Sequence, residues 1–150
     1  DLEGTLFGNT FDEGDLETGI IYVARSNSTE AFIKENRALI HKIGVTGGSV
    51  EKRIANAQYE ATYLLAGVEI VREFKLVGIN RKRLEDRLKG FFSSARLDIE
   101  IEDRFGKPYR PQEWFLVPLS VIDETIQRIR DGTITNFVYD PERAELKSAE

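Results

Sequence analysis

The sequence predicts a fold of the α/β (α+β) kind. Three observations carry that expectation. Two runs, 19–25 and 68–77, are rich in β-branched and aromatic residues, as strands are. Two later segments, 81–95 and 120–130, place apolar residues at helical spacing. The two kinds of segment alternate along 150 residues, a length that suits one domain, and no internal repeat divides them.

Each element can be justified in order. Residues 1–18 are rich in Gly and acids and lack an apolar period, so they read as an acidic linker or arm. Gly19-Ile20-Ile21-Tyr22-Val23 opens the first strand, to residue 25. Asn27-Ser28-Thr29 is a turn and a helix cap, and 30–38 suits a short helix. A second strand covers 39–46 and stops at Gly47-Gly48. Ser49 then suits an N-cap, and Val50, Ile54 and Ala57 begin a helical stripe expected to run to about residue 65. Gly67 ends it, and Val68 to Val77 forms a long strand.

Asn80 caps the next expected helix, 81–95, whose buried stripe is Leu84, Leu88, Phe91, Phe92 and Ala95. Short strands are expected at 97–101 and 113–117, around the charged loop Asp103-Arg104-Phe105-Gly106-Lys107-Pro108. A last helix, about 120–130, buries Val121, Ile122, Thr125, Ile126 and Ile129, and Gly132 stops it. The expected division is an arm over 1–18, a domain over 19–132 and a tail over 133–150, polar from 141 onward.

Composition narrows the function. Cysteine is absent, which excludes disulfides and thiolate metal sites. No apolar run approaches the length of a membrane span, and no signal-peptide pattern opens the chain, so a cytoplasmic location is the default expectation. Methionine is absent even at position 1, so the chain reads as a piece of a longer protein with other domains, or as a processed one. The net charge of −5 opposes nucleic-acid binding in aggregate. Its distribution does not. Residues 1–18 hold six acids and no base, whereas 50–96 hold ten bases and six acids, which permits a basic face.

Four places stand out for chemistry: Tyr22, Lys42-Ile43-Gly44, Arg53 and Glu85. Their order and spacing resemble the GIY-YIG nuclease family, in particular the bacterial and phage branch whose second signature reads Lys-Ile-Gly. The resemblance covers roughly 19–117, with Glu113-Trp114-Phe115 similar to the closing aromatic segment. It implies a small central antiparallel sheet flanked by helices, with the β-β-α segment as a C-terminal extension. It also implies metal-dependent cleavage of a nucleic-acid backbone. The pattern is departed from at Ile20, in the first-glycine place, at His41, where an aromatic is usual, and at Lys89, where histidine is frequent. No asparagine matches the late asparagine of the wider family.

Residue chemistry suits those roles. Glu85 offers the hard carboxylate oxygen that Mg²⁺, or Mn²⁺, prefers. Arg53 offers a permanently charged planar fork for a phosphate. Tyr22 is the candidate base or water-orienting group, but a free phenol titrates near 10 and needs help. Strand alternation puts Lys42 on a face that can match Tyr22, so its ammonium is expected either to lower the phenol pKa or to touch the scissile phosphate. Arg81, Lys82, Arg83, Lys89 and Ser49 are expected to contact nucleic acid, DNA before RNA. Cutting both strands of a duplex would imply a homodimer or two visits. Structural readings stand beside these. Glu85 and Lys89 form an i,i+4 pair that fits a solvated helix face. His41, Trp114 and Phe115 are simplest as packed residues. The rival functions are a binding module that has lost catalysis and an interaction domain whose motif matches are accidental.

Overall fold

The computed structural model describes residues 17–149. The acidic arm therefore lies outside the described residues, save Glu17 and Thr18, which belong to the first strand. That strand, β1 (Glu17–Ser26), is central in a four-stranded sheet of order β3-β1-β2-β6. Its partners are β2 (Ile40–Thr46), β3 (Val68–Ile79) and β6 (Trp114–Leu116), and all pairings are antiparallel. The small antiparallel sheet with flanking helices is thus as expected.

The sheet's alternation sorts its side chains. Ile21, Val23 and Ile43 point into the main core. Covering them are α3 (Arg81–Phe91), through Leu84, Leu88 and Phe91, and α4 (Leu119–Asp131), through Ile122, Ile126 and Ile129. Full burial of each such side chain is worth about 2 kcal/mol. Asn80 caps α3 by accepting from the Arg83 amide at 2.9 Å, and Gly132, at φ 80°, ends α4 in the left-handed region. Tyr22 lies on the other face, packed with Val50, Ala57 and Tyr63.

The segment 50–65 differs from expectation. The α-helix α2 covers only Val50–Ile54, and two 3₁₀ turns follow, Ala57–Tyr59 and Ala61–Tyr63. In a continuous α-helix Tyr63 would point away from the Val50–Ile54–Ala57 stripe. The tighter turns bring it fully into the core. Leu64 and Leu65 then take φ of 60° and 53°, costing about 1 kcal/mol each for side chains that carry a Cβ. Short helix α1 (Ala31–Glu35) is otherwise where it was expected.

The β-β-α end is present with altered bounds. Residues 97–100 are not strand. Instead β4 (Ile101–Glu102) pairs with β5 (Pro108–Tyr109) as a small hairpin around the charged loop. Leu97 still joins the core, its amide donating to the Trp114 carbonyl at 2.8 Å. The expected polar tail is also structured. A 3₁₀ turn, Ile134–Asn136, leads into a hairpin of β7 (Phe137–Asp140) and β8 (Glu145–Ser148). Ile134 and Tyr139 enter the main core, and the Tyr139 ring meets Phe92 edge-on at 5.4 Å.

Candidate functional site

Pairing of β1 with β2 sets Tyr22 opposite Gly44 and Ala24 opposite Lys42. Tyr22 and Lys42 are therefore diagonal neighbours on one face, as alternation allows. The Tyr22 phenol lies across Gly44. A Cβ at Gly44 would fall inside the Tyr22 ring and hydroxyl, so the glycine of Lys-Ile-Gly makes room for the tyrosine.

Lys42 is fully buried, and its ammonium is fixed from several sides. Nζ donates to Tyr22 Oη at 3.2 Å and to Glu113 Oε1 at 2.6 Å. It also stands 4.8 Å from the Tyr63 ring centre and 5.2 Å from that of Tyr22, both within cation–π range. Burying a charge this deeply is tolerable only with such partners.

Tyr22 Oη and Tyr63 Oη are hydrogen-bonded at 2.8 Å. Tyr63 was absent from the sequence-predicted set because its position depends on the two 3₁₀ turns. Arg53 sits at the exposed edge of this pair. Its guanidinium carbon is 5.2 Å from the Tyr63 ring centre and Nη1 is 3.9 Å from Glu60 Oε1. About two-fifths of the side chain is open to solvent.

Glu113 joins the tyrosine pair to α3. Its Oε2 lies 3.3 Å from Lys89 Nζ, which lies 3.5 Å from Glu85 Oε1. The Glu85 and Glu113 carboxyls are thus joined through Lys89, and each shifts the titration of the other. Sequence reading assigned Glu113 no role. Its position directly before the buried Trp114-Phe115 pair was the available signal.

These contacts set the protonation states. Burial pushes the Tyr22 phenol up, and the bond to Tyr63 and the Arg53 charge offset that only in part. Burial likewise raises Tyr63. The expected lowering of the Tyr22 pKa is therefore not found. Glu113 neutralises the Lys42 ammonium at 2.6 Å and leaves desolvation as the larger effect on the phenol. Glu113 itself is held down at about 2: burial, the largest single effect, opposes its ionisation, but Lys42, Glu85 and Lys89 together outweigh it, with Lys42 foremost. Glu85 is pushed up by burial and by the neighbouring Glu113 carboxyl, with Lys89 opposing. Lys89 is raised, since Glu113 and Glu85 together outweigh its desolvation.

The other expected contact residues have structural partners. Arg81 Nη2 pairs with Glu17 at 2.9 Å, Nη1 donates to the Thr18 carbonyl at 2.9 Å, and the guanidinium lies over Gly47. Lys82 pairs with Asp86 on the exposed face of α3, and the Arg83 amide donates to the Asn80 cap. Ser49 Oγ caps α2 by accepting from the Lys52 amide at 3.3 Å. His41 is fully buried; Nε2 accepts from Arg25 Nε at 3.1 Å, so Nδ1 carries the proton donated to the Val117 carbonyl at 2.8 Å.

Among the described residues no group of three or more His, Asp or Glu side chains is disposed to hold a metal ion. The Glu85–Glu113 pair still fits Mg²⁺ in its donor chemistry. Two neighbouring carboxyls offer hard oxygen donors, and Mg²⁺ needs only one or two protein carboxylates. In this arrangement the Lys89 ammonium supplies the balancing positive charge.

The chain is 41% identical over 133 residues to a protein of Bacillus subtilis (strain 168) described as "Uncharacterized protein YeeC". That match takes in 86% of this chain but spans only about a third (34%) of the relative's length. No solved structure matches. Residues 19–130, from the first strand to the last turn of α4, match the T5orf172 domain, and the chain belongs to that family, which is related to the GIY-YIG nucleases.

Proposed function

We propose that this chain is a metal-dependent endonuclease domain that hydrolyses phosphodiester bonds of DNA, as the catalytic part of a larger protein. The observation that carries the reading is the cluster in which Tyr63, Tyr22, Lys42 and Glu113 are hydrogen-bonded in series and Lys89 joins Glu85 to Glu113, brought together from distant parts of the sequence. Arg53 stands at its open edge, where a phosphate can arrive.

In this reading Tyr22 Oη orients the attacking water. Because its pKa is raised, the phenol holds its own proton at neutral pH and positions the water through its lone pair. Lys42, which donates to that oxygen at 3.2 Å, holds it in place and leaves its remaining lone pair for the water. Tyr63 fixes the phenol's direction. Arg53 meets the charge that grows on the non-bridging oxygens as the water adds to phosphorus and gives up a proton to solvent, while one bridging P–O bond breaks and the leaving oxygen takes a proton from solvent. Glu85, with Glu113 beside it, would hold Mg²⁺ or Mn²⁺, which when bound supplies charge neutralisation to phosphate and leaving oxygen. Arg81, Lys82, Arg83 and Lys89 on α3, with Ser49 at the start of α2, remain proposed contacts to the nucleic-acid backbone. A homodimer, or two successive visits, would be needed to cut both strands.

One observation favours a second reading, a nucleic-acid-binding module without catalysis. Lys89 lies 3.5 and 3.3 Å from the two carboxylates and competes with a metal for them. A plasmid assay with Mg²⁺ or Mn²⁺, with and without chelator, separates the two. The nuclease reading expects cleavage that falls about 100-fold in Glu85→Gln and in Arg53→Ala. Cleavage that persists in both variants removes the assigned roles. The binding-module reading expects salt-sensitive association and no cleavage in wild type, with activity appearing, if anywhere, in Lys89→Ala.

A further inference from the structure

Beside the tyrosine cluster lies a cleft of about 720 Å³ between the two 3₁₀ turns and the β4–β5 hairpin. Tyr59, Glu60 and Thr62 line one side, and Arg104, Phe105 and Tyr109 the other. Its aromatic lining is not explained by packing. Tyr59 is 54% exposed and Phe105 is 73% exposed, whereas Trp114 and Tyr63 nearby are fully buried.

The hairpin holds Phe105 out firmly. Asp103 Oδ1 accepts from the Phe105 amide at 2.8 Å and from the Lys107 amide at 2.9 Å. The Asp103 amide donates to the Lys107 carbonyl at 2.8 Å, and Gly106 supplies the left-handed turn at φ 80°. The Arg104 guanidinium stacks 4.8 Å from the Phe105 ring centre. The result is an exposed aromatic ring with a cation beside it, carried on a hydrogen-bonded loop.

The cleft is continuous with the candidate site. Glu60, on its wall, pairs with Arg53, and Thr62, also on its wall, precedes Tyr63 and accepts from Trp114 Nε1 at 2.9 Å. The two acids at the cleft are already answered: Glu60 by Arg53, and Asp103 by the amides of its own loop. What remains free to bind is aromatic surface flanked by Arg104 and Arg53. Stacking faces beside guanidinium groups match a nucleic-acid strand with its bases unpaired, and a base held in a duplex cannot offer its face. The volume is ample for a base and its sugar.

The geometry points to a stacking site for an unpaired base of the nucleic-acid strand whose phosphate lies at Arg53, with Tyr59 and Phe105 as the stacking rings. The choice of ligand rests on the nucleic-acid reading above, but not on catalysis. Substrates with single-stranded ends, bulges or flaps are then preferred to continuous duplex.

Fluorescence anisotropy in the presence of chelator tests this without cleavage. The probes are dye-labelled DNA duplexes with blunt ends or with a short single-stranded overhang, and the same pair in RNA. Wild type is expected to bind at least one overhang probe more tightly than its blunt counterpart. Tyr59→Ala and Phe105→Ala should each weaken overhang binding about tenfold and leave blunt binding unchanged. Phe105→Tyr should retain it. Both positions are exposed, so folding is not at stake, and a thermal melt confirms that. Equal wild-type binding to overhang and blunt probes, or an equal loss on both in the variants, overturns the stacking site. The plasmid assay judges catalysis separately: cleavage with no overhang preference sinks this site alone, and overhang preference without cleavage sinks the nuclease reading alone.

Discussion

At the scale of single residues, Glu113 is the most consequential side chain that the signatures do not contain. It alone contacts both Lys42 and Lys89 in the cluster, and its lowered pKa has a direct thermodynamic reading. A carboxyl held at about 2, against an ordinary 4.5, contributes stability that is present above 4.5 and lost as pH falls toward 2. Glu85 works the other way: its raised pKa gives a contribution present below the unfolded value and lost as pH rises through the folded one. Urea unfolding midpoints measured across pH 2 to 7 should therefore show an acid-side decline that is shallower in Glu113→Gln. That variant starts lower at neutral pH, because Lys42 loses its partner. Parallel curves for the two proteins would assign the acid loss elsewhere. Gly44 gives a second expectation. A methyl group there must displace the Tyr22 ring, so Gly44→Ala should cost about 2 kcal/mol in urea unfolding. Its partner change Tyr22→Leu should make Gly44→Ala nearly neutral, and a full cost in that background would mean the clash lies with another group.

At the scale of elements, the sequence is most legible where one face of an element decides everything. The buried stripe of α4 is the one its spacing predicts, Val121, Ile122, Thr125, Ile126 and Ile129, and that of α3 holds through Phe91. β1 and β3 are longer than their apolar runs but start from them. The elements that escape are those whose shape is imposed by partners. Residues 55–65 have a helix-like pattern, yet the demand that Tyr63 reach Tyr22 breaks it into 3₁₀ turns. The C-terminal hairpin escapes for a related reason. β7 and β8 are only four residues each and β8 is mostly polar, and the segment docks through Ile134 and Tyr139, with Leu146 beside them. This has a measurable consequence. A protein ending at Gly132, the boundary that the helix stop suggests, removes two core side chains and exposes Phe91 and Phe92. It should lose about 4 kcal/mol, from burial worth roughly 2 kcal/mol per side chain, and melt early or fail to fold. An unchanged melting temperature would show that the hairpin is dispensable.

At the scale of the whole molecule, the candidate site is a product of topology. Lys42 and Glu113 are 71 positions apart and Tyr22 and Tyr63 are 41 apart, so no local spacing reports that they touch. Four candidates were legible because a family pattern and strand alternation named them. Tyr63 and Glu113 were not, because their roles exist only once β6 pairs with β2 and the 3₁₀ turns close over β1. Charge is the other property of the whole. Asp1, Glu3, Asp12, Glu13 and Asp15 lie within the first sixteen residues, which hold no base, and the rest of the chain is formally neutral without them. Those five charges oppose a polyanion through the long-range field, which salt screens over about 10 Å at 0.1 M. Deleting residues 1–16, and keeping Glu17 for its pair with Arg81, should therefore tighten binding to duplex DNA several-fold at low salt. The gain should shrink as salt rises, because it comes from the field and not from a new contact. Anisotropy titrations of both proteins at about 50 and 300 mM salt measure this directly. A gain that persists at high salt would mean that the segment occludes the binding surface itself, and no gain at either salt would mean that its charge does not reach the nucleic acid.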